Sequence, residues 1–352
     1  MRAAGNPATL PELTPNGAPP VALRPWRDAE TPIQSRWPTY GADEIKAVGQ
    51  VLRSGRVNGL VHGENCRAFE RCFSDYCGAP YGIALANGTL ALELALRAFG
   101  IGAGDEVIVP ARSFFATASA VSICGAQPVF VDVDLESQNI TAGAIAAAIT
   151  PRTRAAIVVH LAGWPCEMDE ILAVAQAHGI RVIEDCAQAH GATLMGRKTG
   201  SFGDAAAFSF CTDKIMSSGG EGGLLLLRDR AIWQRARSLK DHGLDFEALP
   251  VEGVEFKWLR HMIGSNYRMT EMQAAIGLLQ LGKLDGWLHF RRQNAAILNA
   301  DLADVPALRL TLPPPGTEHA YYKYYAFVRS DQLRSGWTRD RIVEEIAERG
   351  CP

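Results

Sequence analysis

From Ala42 onward, apolar residues recur at helical spacing. Ile45, Val48, Val51 and Leu52 share one face and the pattern stops at Gly55, which predicts an amphipathic helix with a glycine stop. A second helix is expected over 64–76. Short, nearly continuous apolar runs then alternate with longer helical stretches. The runs predict strands at 81–86, 106–110, 128–133, 155–160, 181–185, 206–210 and 223–227, and the stretches predict helices at 90–99, 116–124, 142–149 and 168–178. Strands without polar alternation are buried on both faces. The pattern therefore predicts an α/β fold with a mostly parallel seven-stranded sheet flanked by helices. No helix separates the last two runs, so an antiparallel strand is expected among them.

After Arg228 a helix is expected to about residue 240, then an irregular stretch over 241–265. A long helical region follows over 270–302, with a bend or break expected near Gly282 and Gly286. Pro313, Pro314 and Pro315 read as a linker into a short α+β tail, with a strand at 321–329 and a helix at 338–349. The expected organisation is a proline-rich extended arm (1–37), a large domain (38–285) and a small C-terminal domain (286–352). No internal repeat is evident.

Composition narrows the function classes. A net charge of −3 gives no bias toward polyanions, so neither nucleic acid nor an acidic membrane is an expected partner. The eight cysteines form no C-x-x-C pair. They suit reduced thiols in a cytoplasmic protein, and no metal site is expected. No apolar run reaches membrane-spanning length.

The candidate chemistry gathers around one lysine. Lys214 ends the segment Phe208-Ser209-Phe210-Cys211-Thr212-Asp213-Lys214 and is followed by the glycine-rich run from Gly219 to Gly223. Asp185 closes an apolar strand upstream. A lysine, a strand-end acid and a nearby hydroxyl supply what pyridoxal phosphate requires: an amine for a Schiff base, an anion for the pyridinium nitrogen and a donor for the phosphate. Each residue also has a plainer role. Lys214 alone reads as a surface charge, Asp185 as a strand-end cap, and Ser209 as a hydroxyl satisfied by a neighbouring carbonyl.

Further residues extend the set. Asn87-Gly88-Thr89 joins a strand directly to a helix, and free backbone N–H groups there favour an anion. The same turn serves as an ordinary Asx-type cap. It is not a Walker loop, because no G-K-[ST] follows. The Gly100–Gly104 run follows a helix and precedes a strand, the wrong order for a dinucleotide fingerprint. Gln188, three residues past Asp185, is positioned to donate to a ring oxygen. His190 either orients this turn or packs as a core histidine. Phe114 either stacks on the ring or belongs to the core.

Taken together, the segments ALANGTLALELAL (84–96), GDEVIVPARSFFATASAV (104–121), PVFVDVD (128–134), VVHLAGWPCEMD (158–169), VIEDCAQAHGA (182–192), FGDAAAFSFCTDKIMSSGGEGG (202–223) and GSNYRMTEMQAAIGLLQL (264–281) closely resemble the DegT/StrS-type aminotransferases. These are pyridoxal-phosphate enzymes of amino-sugar and aminocyclitol biosynthesis. The resemblance implies fold type I. It implies that Lys214 forms the Schiff base, Asp185 partners the pyridinium, Gln188 contacts the ring oxygen and Phe114 stacks. Gly88, Thr89 and Ser209 would form the phosphate cup, and Asn266 would reach the cofactor of a partner subunit in a homodimer with shared sites. Arg268 and His160 are the weaker substrate candidates.

The implied reaction moves an amino group from glutamate or glutamine to a keto sugar, most readily a nucleotide-linked one. A ketocyclitol or aminoshikimate-type acceptor is the alternative, and a non-catalytic sensor keeping the fold is a reading from another class. The family's cofactor-dependent dehydratases carry histidine at the position of Lys214, which disfavours that reaction. The family's chains run roughly fifty residues further, so the small domain is expected to be incomplete.

Overall fold

The computed structural model describes residues 37–246 and 259–349. The expected proline-rich arm lies outside the described residues except for Trp37, and so does the middle of the expected irregular stretch. Residues 36–333 form one compact unit.

Helices α1 (Ala42–Ser54) and α2 (Glu64–Cys77) precede β1 (Tyr81–Leu85). Then come α3 (Gly88–Ala98), β2 (Glu106–Pro110), α4 (Ala116–Ile123), β3 (Gln127–Val131), α5 (Ala142–Ala148), β4 (Thr153–Val159), α6 (Met168–His178) and β5 (Arg181–Asp185). Two short strands, β6 (Thr193–Leu194) and β7 (Arg197–Lys198), lead into β8 (Ala205–Ser209), β9 (Gly223–Leu227), α7 (Arg230–Lys240) and α8 (Glu271–Leu302). Strands β10 (Leu308–Leu310), β11 (Thr317–Glu318) and β12 (Ala326–Val328) complete the unit. The other unit contributes one described helix, α9 (Arg339–Glu348).

The main sheet has seven strands in the order β1-β9-β8-β5-β4-β2-β3. Pairings from β8 through β5, β4 and β2 to β3 are parallel. Strand β9 runs antiparallel to both β8 and β1, as the missing helix implied. The absence of polar alternation is explained by burial on both faces. Leu225 and Leu227 join Ile83, Leu94 and Val107 in one apolar cluster. Leu224 and Leu226 enter another with Phe69, Phe73 and Phe208. Each fully buried leucine or phenylalanine contributes about 1.5–3 kcal/mol, so strands of this kind need no polar face.

Two expectations fail. Helix α8 shows no break near Gly282 and Gly286; it runs from Glu271 to Leu302. A side chain at either glycine would meet nothing within 4 Å, so neither marks a close approach. The helix is fixed instead by the reciprocal Thr270–Gln273 cap and by buried Ala274, Leu284 and Leu288. Packing outweighs the cost of about 1 kcal/mol per helical glycine. The strand expected over 321–329 is confined to Ala326–Val328. Tyr321 has a φ of 49°, which no strand accommodates, and its ring stacks on His319 at 4.1 Å.

Candidate active site

Parallel strands open a crevice at their carboxyl ends, where the chain departs to helices on either side. A cavity of about 470 Å³ lies there, lined by residues that include Gly88, Thr89, Asp185, Gln188, Ser209 and Lys214. The topology explains why: Asp185 ends β5, Ser209 ends β8, and Gly88 opens α3 after β1.

Asp185 is buried. Its Oδ2 accepts the Thr117 hydroxyl at 2.9 Å and its Oδ1 accepts the Ala187 N–H at 3.2 Å. Thr117 Oγ1 also lies 2.6 Å from Ser113 Oγ, just before α4 at the cavity wall. Burial pushes the Asp185 carboxyl above its ordinary value, against the opposing pull of the Ala187 N–H and the Thr117 hydroxyl. A cationic ring nitrogen would offset that penalty.

Asn87 caps α3 through its side chain, which accepts the Leu90 N–H at 2.9 Å. The earlier N–H groups of the first turn have no intrahelical acceptor. A side chain at Gly88 would come within 2.7 Å of Ser209 Cβ, and one at Gly223 within 2.2 Å of the Asn87 carbonyl. The Asn87-Gly88-Thr89 turn, Ser209 and the glycine run after Lys214 are therefore pressed together as one surface.

The Lys214 side chain is largely shielded, with Nζ 3.3 Å from both Asp213 Oδ2 and the Tyr322 hydroxyl. Tyr322 donates to the same Asp213 oxygen, and the Cys211 thiol lies 2.7 Å from the other. Burial pushes Asp213 up, but the Cys211 and Tyr322 hydrogen bonds and the Lys214 charge outweigh it and hold the carboxyl down at about 2. Tyr322 moves up, through burial first and the adjoining Asp213 second.

Gln188 Oε1 accepts the Ala162 N–H at 2.6 Å, which fixes the side chain at the cavity wall. Phe114 lines the cavity while 69% exposed, and Phe115 beside it is 79% exposed. Phe114 is thus not a core residue.

His160 does not line the cavity, so the sequence suggestion of a substrate contact there is corrected. It is fully buried, Nε2 lies 3.0 Å from Glu184 Oε2, and Nδ1 accepts the Cys166 N–H at 3.0 Å. Glu184 also accepts N–H groups from Gly200, Phe202 and Gly203, each at 2.8 Å. The nearby Cys186 makes this a cluster of ligating residue types, but these hydrogen bonds engage both histidine nitrogens and both carboxylate oxygens. His190 is also buried, among Phe73, Phe208 and Phe210, with neither ring nitrogen hydrogen-bonded. Burial, aided by the Lys214 charge, lowers it to about 3, so it packs as a neutral ring.

Asn266 is exposed and bridges to Asp241 outside the cavity of its own chain. Arg268 is held by Asp241, with Nε 2.6 Å from Oδ1. Neither lies in the Lys214 cavity.

The sequence reading missed Thr117, Ser113 and Tyr322 as cavity or aspartate partners. Thr117 sits 68 residues from Asp185, and Tyr322 sits 108 from Lys214. Only the fold joins them. The one local hint was Thr117 lying one helical turn beyond Phe114.

A lysine and a buried aspartate sharing one crevice of a mostly parallel α/β sheet define an enzyme site for amine chemistry. The chain belongs to the DegT/DnrJ/EryC1/StrS aminotransferase family, whose model matches residues 38–352. It is 44% identical over 280 residues to a GDP-perosamine synthase of Caulobacter vibrioides, covering 79% of this chain and 72% of that one. It is 38% identical over 347 residues to an L-glutamine:2-deoxy-scyllo-inosose aminotransferase of Streptoalloteichus tenebrarius, covering 97% and 80%. Among solved structures, an aminotransferase from Psychrobacter cryohalolentis superposes with a TM-score of 0.86 at 45% identity, covering 89% of this chain and 82% of that one. Enzymes of this family are pyridoxal-phosphate-dependent. No helix among the described residues is long and apolar enough to cross a membrane.

Proposed function

We propose that this chain is a pyridoxal-phosphate-dependent sugar aminotransferase that takes an amino group from glutamate or glutamine and delivers it to a nucleotide-linked keto sugar. The observation that carries the reading is that Lys214 and Asp185 share one cavity with the Gly88 turn and Ser209.

The donor set fits the cofactor. Asp185 is a buried carboxylate in need of a cation, the close approach at Gly88 leaves backbone N–H groups for a phosphate, and Lys214 supplies the amine. When bound, pyridoxal phosphate would supply a carrier for the amino group and an acceptor for the electron pair at the substrate α-carbon. Asp185 then holds a proton on the ring nitrogen, with Thr117 orienting the carboxylate. Thr89, Ser209 and the α3 N-terminus bind the phosphate, Gln188 contacts the ring oxygen, and Phe114 covers one ring face. Lys214 moves the proton at the substrate α-carbon, as general base and then general acid.

The partner subunit enters through Asn266. It is exposed and does not line its own cavity, and Ile263 in the same segment is 91% exposed. A homodimer that seats this segment against the other protomer would let Asn266 reach that protomer's phosphate and leave Arg268 as a weak substrate contact.

Similarity to the GDP-perosamine synthase favours a nucleotide-sugar acceptor. Near-complete alignment with the inosose aminotransferase supports a second reading, with a ketocyclitol as acceptor. Incubating the purified protein with pyridoxal phosphate, glutamate or glutamine and a panel of nucleotide-linked keto sugars and ketoinositols decides between them. Amine transfer to a keto sugar is the expected result, and Lys214→Ala is expected to abolish both transfer and the visible absorbance of the lysine-linked cofactor. Wild-type protein that gains no such absorbance with added cofactor would sink the proposal.

A further inference from the structure

A lysine that holds a cofactor covalently spends part of each turnover detached from it. When the amino donor displaces Lys214, the imine bond to the lysine breaks as the bond to the incoming amine forms. The lysine leaves as a primary amine and takes up the proton given by the incoming ammonium, with no net oxidation, and it gives that proton up to solvent before it acts as base at the α-carbon. A detached flexible side chain in an open crevice has many rotamers, and something must hold it within reach of the α-carbon.

We propose that Asp213 and Tyr322 form a cradle that parks the Lys214 amine whenever it is detached, an assignment that rests on the aminotransferase reading above. Lys214 Nζ is 3.3 Å from both the Asp213 carboxylate and the Tyr322 hydroxyl. The Tyr322 ring adds a cationic contact, with Nζ 4.9 Å from its centroid. Asp213 is itself steadied by the Tyr322 hydroxyl on one oxygen and the Cys211 thiol on the other.

The far wall of the cradle is anchored. The Tyr322 segment is stitched to the turn after β4 by Ala320 N–H to the Gly163 carbonyl at 2.9 Å and by Lys323 N–H to the Ala162 carbonyl at 3.2 Å. Arg291 and Arg292 on α8 hold the Tyr321 and His319 carbonyls at 3.2 and 3.1 Å. Ala162 is also the residue whose N–H fixes Gln188, so cradle and ring contact share one turn. Both contacts to Nζ are at the long end of the hydrogen-bond range, which suits a resting place the amine leaves on every cycle. Asp213 and Tyr322 are positioning residues, acting through Lys214.

The test compares the wild-type chain with D213N and Y322F. In cofactor-free protein, reductive methylation of Lys214 followed by peptide mass spectrometry reads how firmly the amine is held. Each variant is expected to raise the Lys214 labelling rate about threefold to tenfold. In loaded enzyme, kcat is expected to fall while KM for the amino donor and the cofactor Kd stay unchanged. Asp213 is more than half exposed, so D213N is a surface change that spares the core, and Y322F keeps the ring. Labelling rates in both variants equal to that of wild type, or a change confined to KM, would overturn the cradle. Borohydride reduction of the loaded chain and peptide mapping tests the underlying reading separately. Cofactor on a peptide lacking Lys214 overturns that reading and the cradle with it, whereas cofactor on Lys214 with unchanged labelling overturns the cradle alone.

Discussion

Thr117 donates its hydroxyl to the buried Asp185 carboxylate across 2.9 Å, tying α4 to the end of β5. Hydrogen bonds to charged groups contribute about 1.5–3 kcal/mol. Thr117→Val keeps the shape of the side chain and removes the donor. Pyridoxal phosphate affinity is therefore expected to weaken by about tenfold or more, measured by absorbance titration of cofactor-free protein, while secondary structure by circular dichroism stays unchanged. Unaltered affinity would show that the hydroxyl does not orient the carboxylate.

Asp185 is costly to the protein without its cofactor. Its carboxyl is raised by burial, so the folded chain binds this proton more tightly than the unfolded chain does. The ionised form detracts from stability at neutral pH, and the cost fades as pH falls. Asp185→Asn is expected to leave the melting temperature of cofactor-free protein equal or higher, by about 2 °C, while cofactor retention collapses. A variant that melts well below wild type would contradict this.

The neighbouring carboxylate behaves in the opposite sense. Burial raises Glu184, but His160 and the N–H groups of Gly203 and Gly200 outweigh it, and the carboxyl ends below its ordinary value. Its stabilisation is present above the unfolded carboxylate value of about 4.3 and is lost as pH falls through the lower folded one. Glu184→Gln is expected to cost about 3 kcal/mol at pH 7, read by denaturant unfolding. The gap to wild type should narrow below about pH 4; a gap constant down to acid pH would refute the linkage.

Gly88→Ala tests the close approach between α3 and Ser209. The added Cβ would lie 2.7 Å from Ser209 Cβ and 3.1 Å from its Cα, closer than real contacts allow, so α3 must shift away from β8. Cofactor affinity is expected to fall by at least about tenfold, because the phosphate donors proposed on both elements would lose their spacing. Free inorganic phosphate, which needs fewer of those donors, should lose less. Equal losses for both ligands would indicate general unfolding instead.

The layered fold was legible because fully apolar strands alternate with helical stretches, and buried β8 and β9 need no other signature. The elements that went astray are those set by particular side-chain contacts. Gly282 and Gly286 suggested a break, yet Leu284 and Leu288 between and beyond them bury against neighbouring helices and carry α8 through. Tyr321 read as a strand residue, yet the local stacking on His319 holds it at positive φ. In the site, Lys214, Asp185, Gly88, Thr89, Gln188, Ser209 and Phe114 were readable because each sits at an element end in a local motif, and all line the cavity. Thr117 and Tyr322 were not, since nothing local marks a hydroxyl whose partner lies in another element. His160 misled for the reverse reason: it directly follows β4, but its ring is engaged by buried Glu184.

The pressing together of Gly88, Ser209 and Gly223 has a consequence for descent. Gly223 is paired with Ser209 on one side and Leu85 on the other, and its missing side chain makes room for the Asn87 carbonyl. No single one of these positions is free to enlarge without displacing another. Lineages derived from this chain should therefore inherit the three as a block, with change at one tolerated only after change at its neighbours.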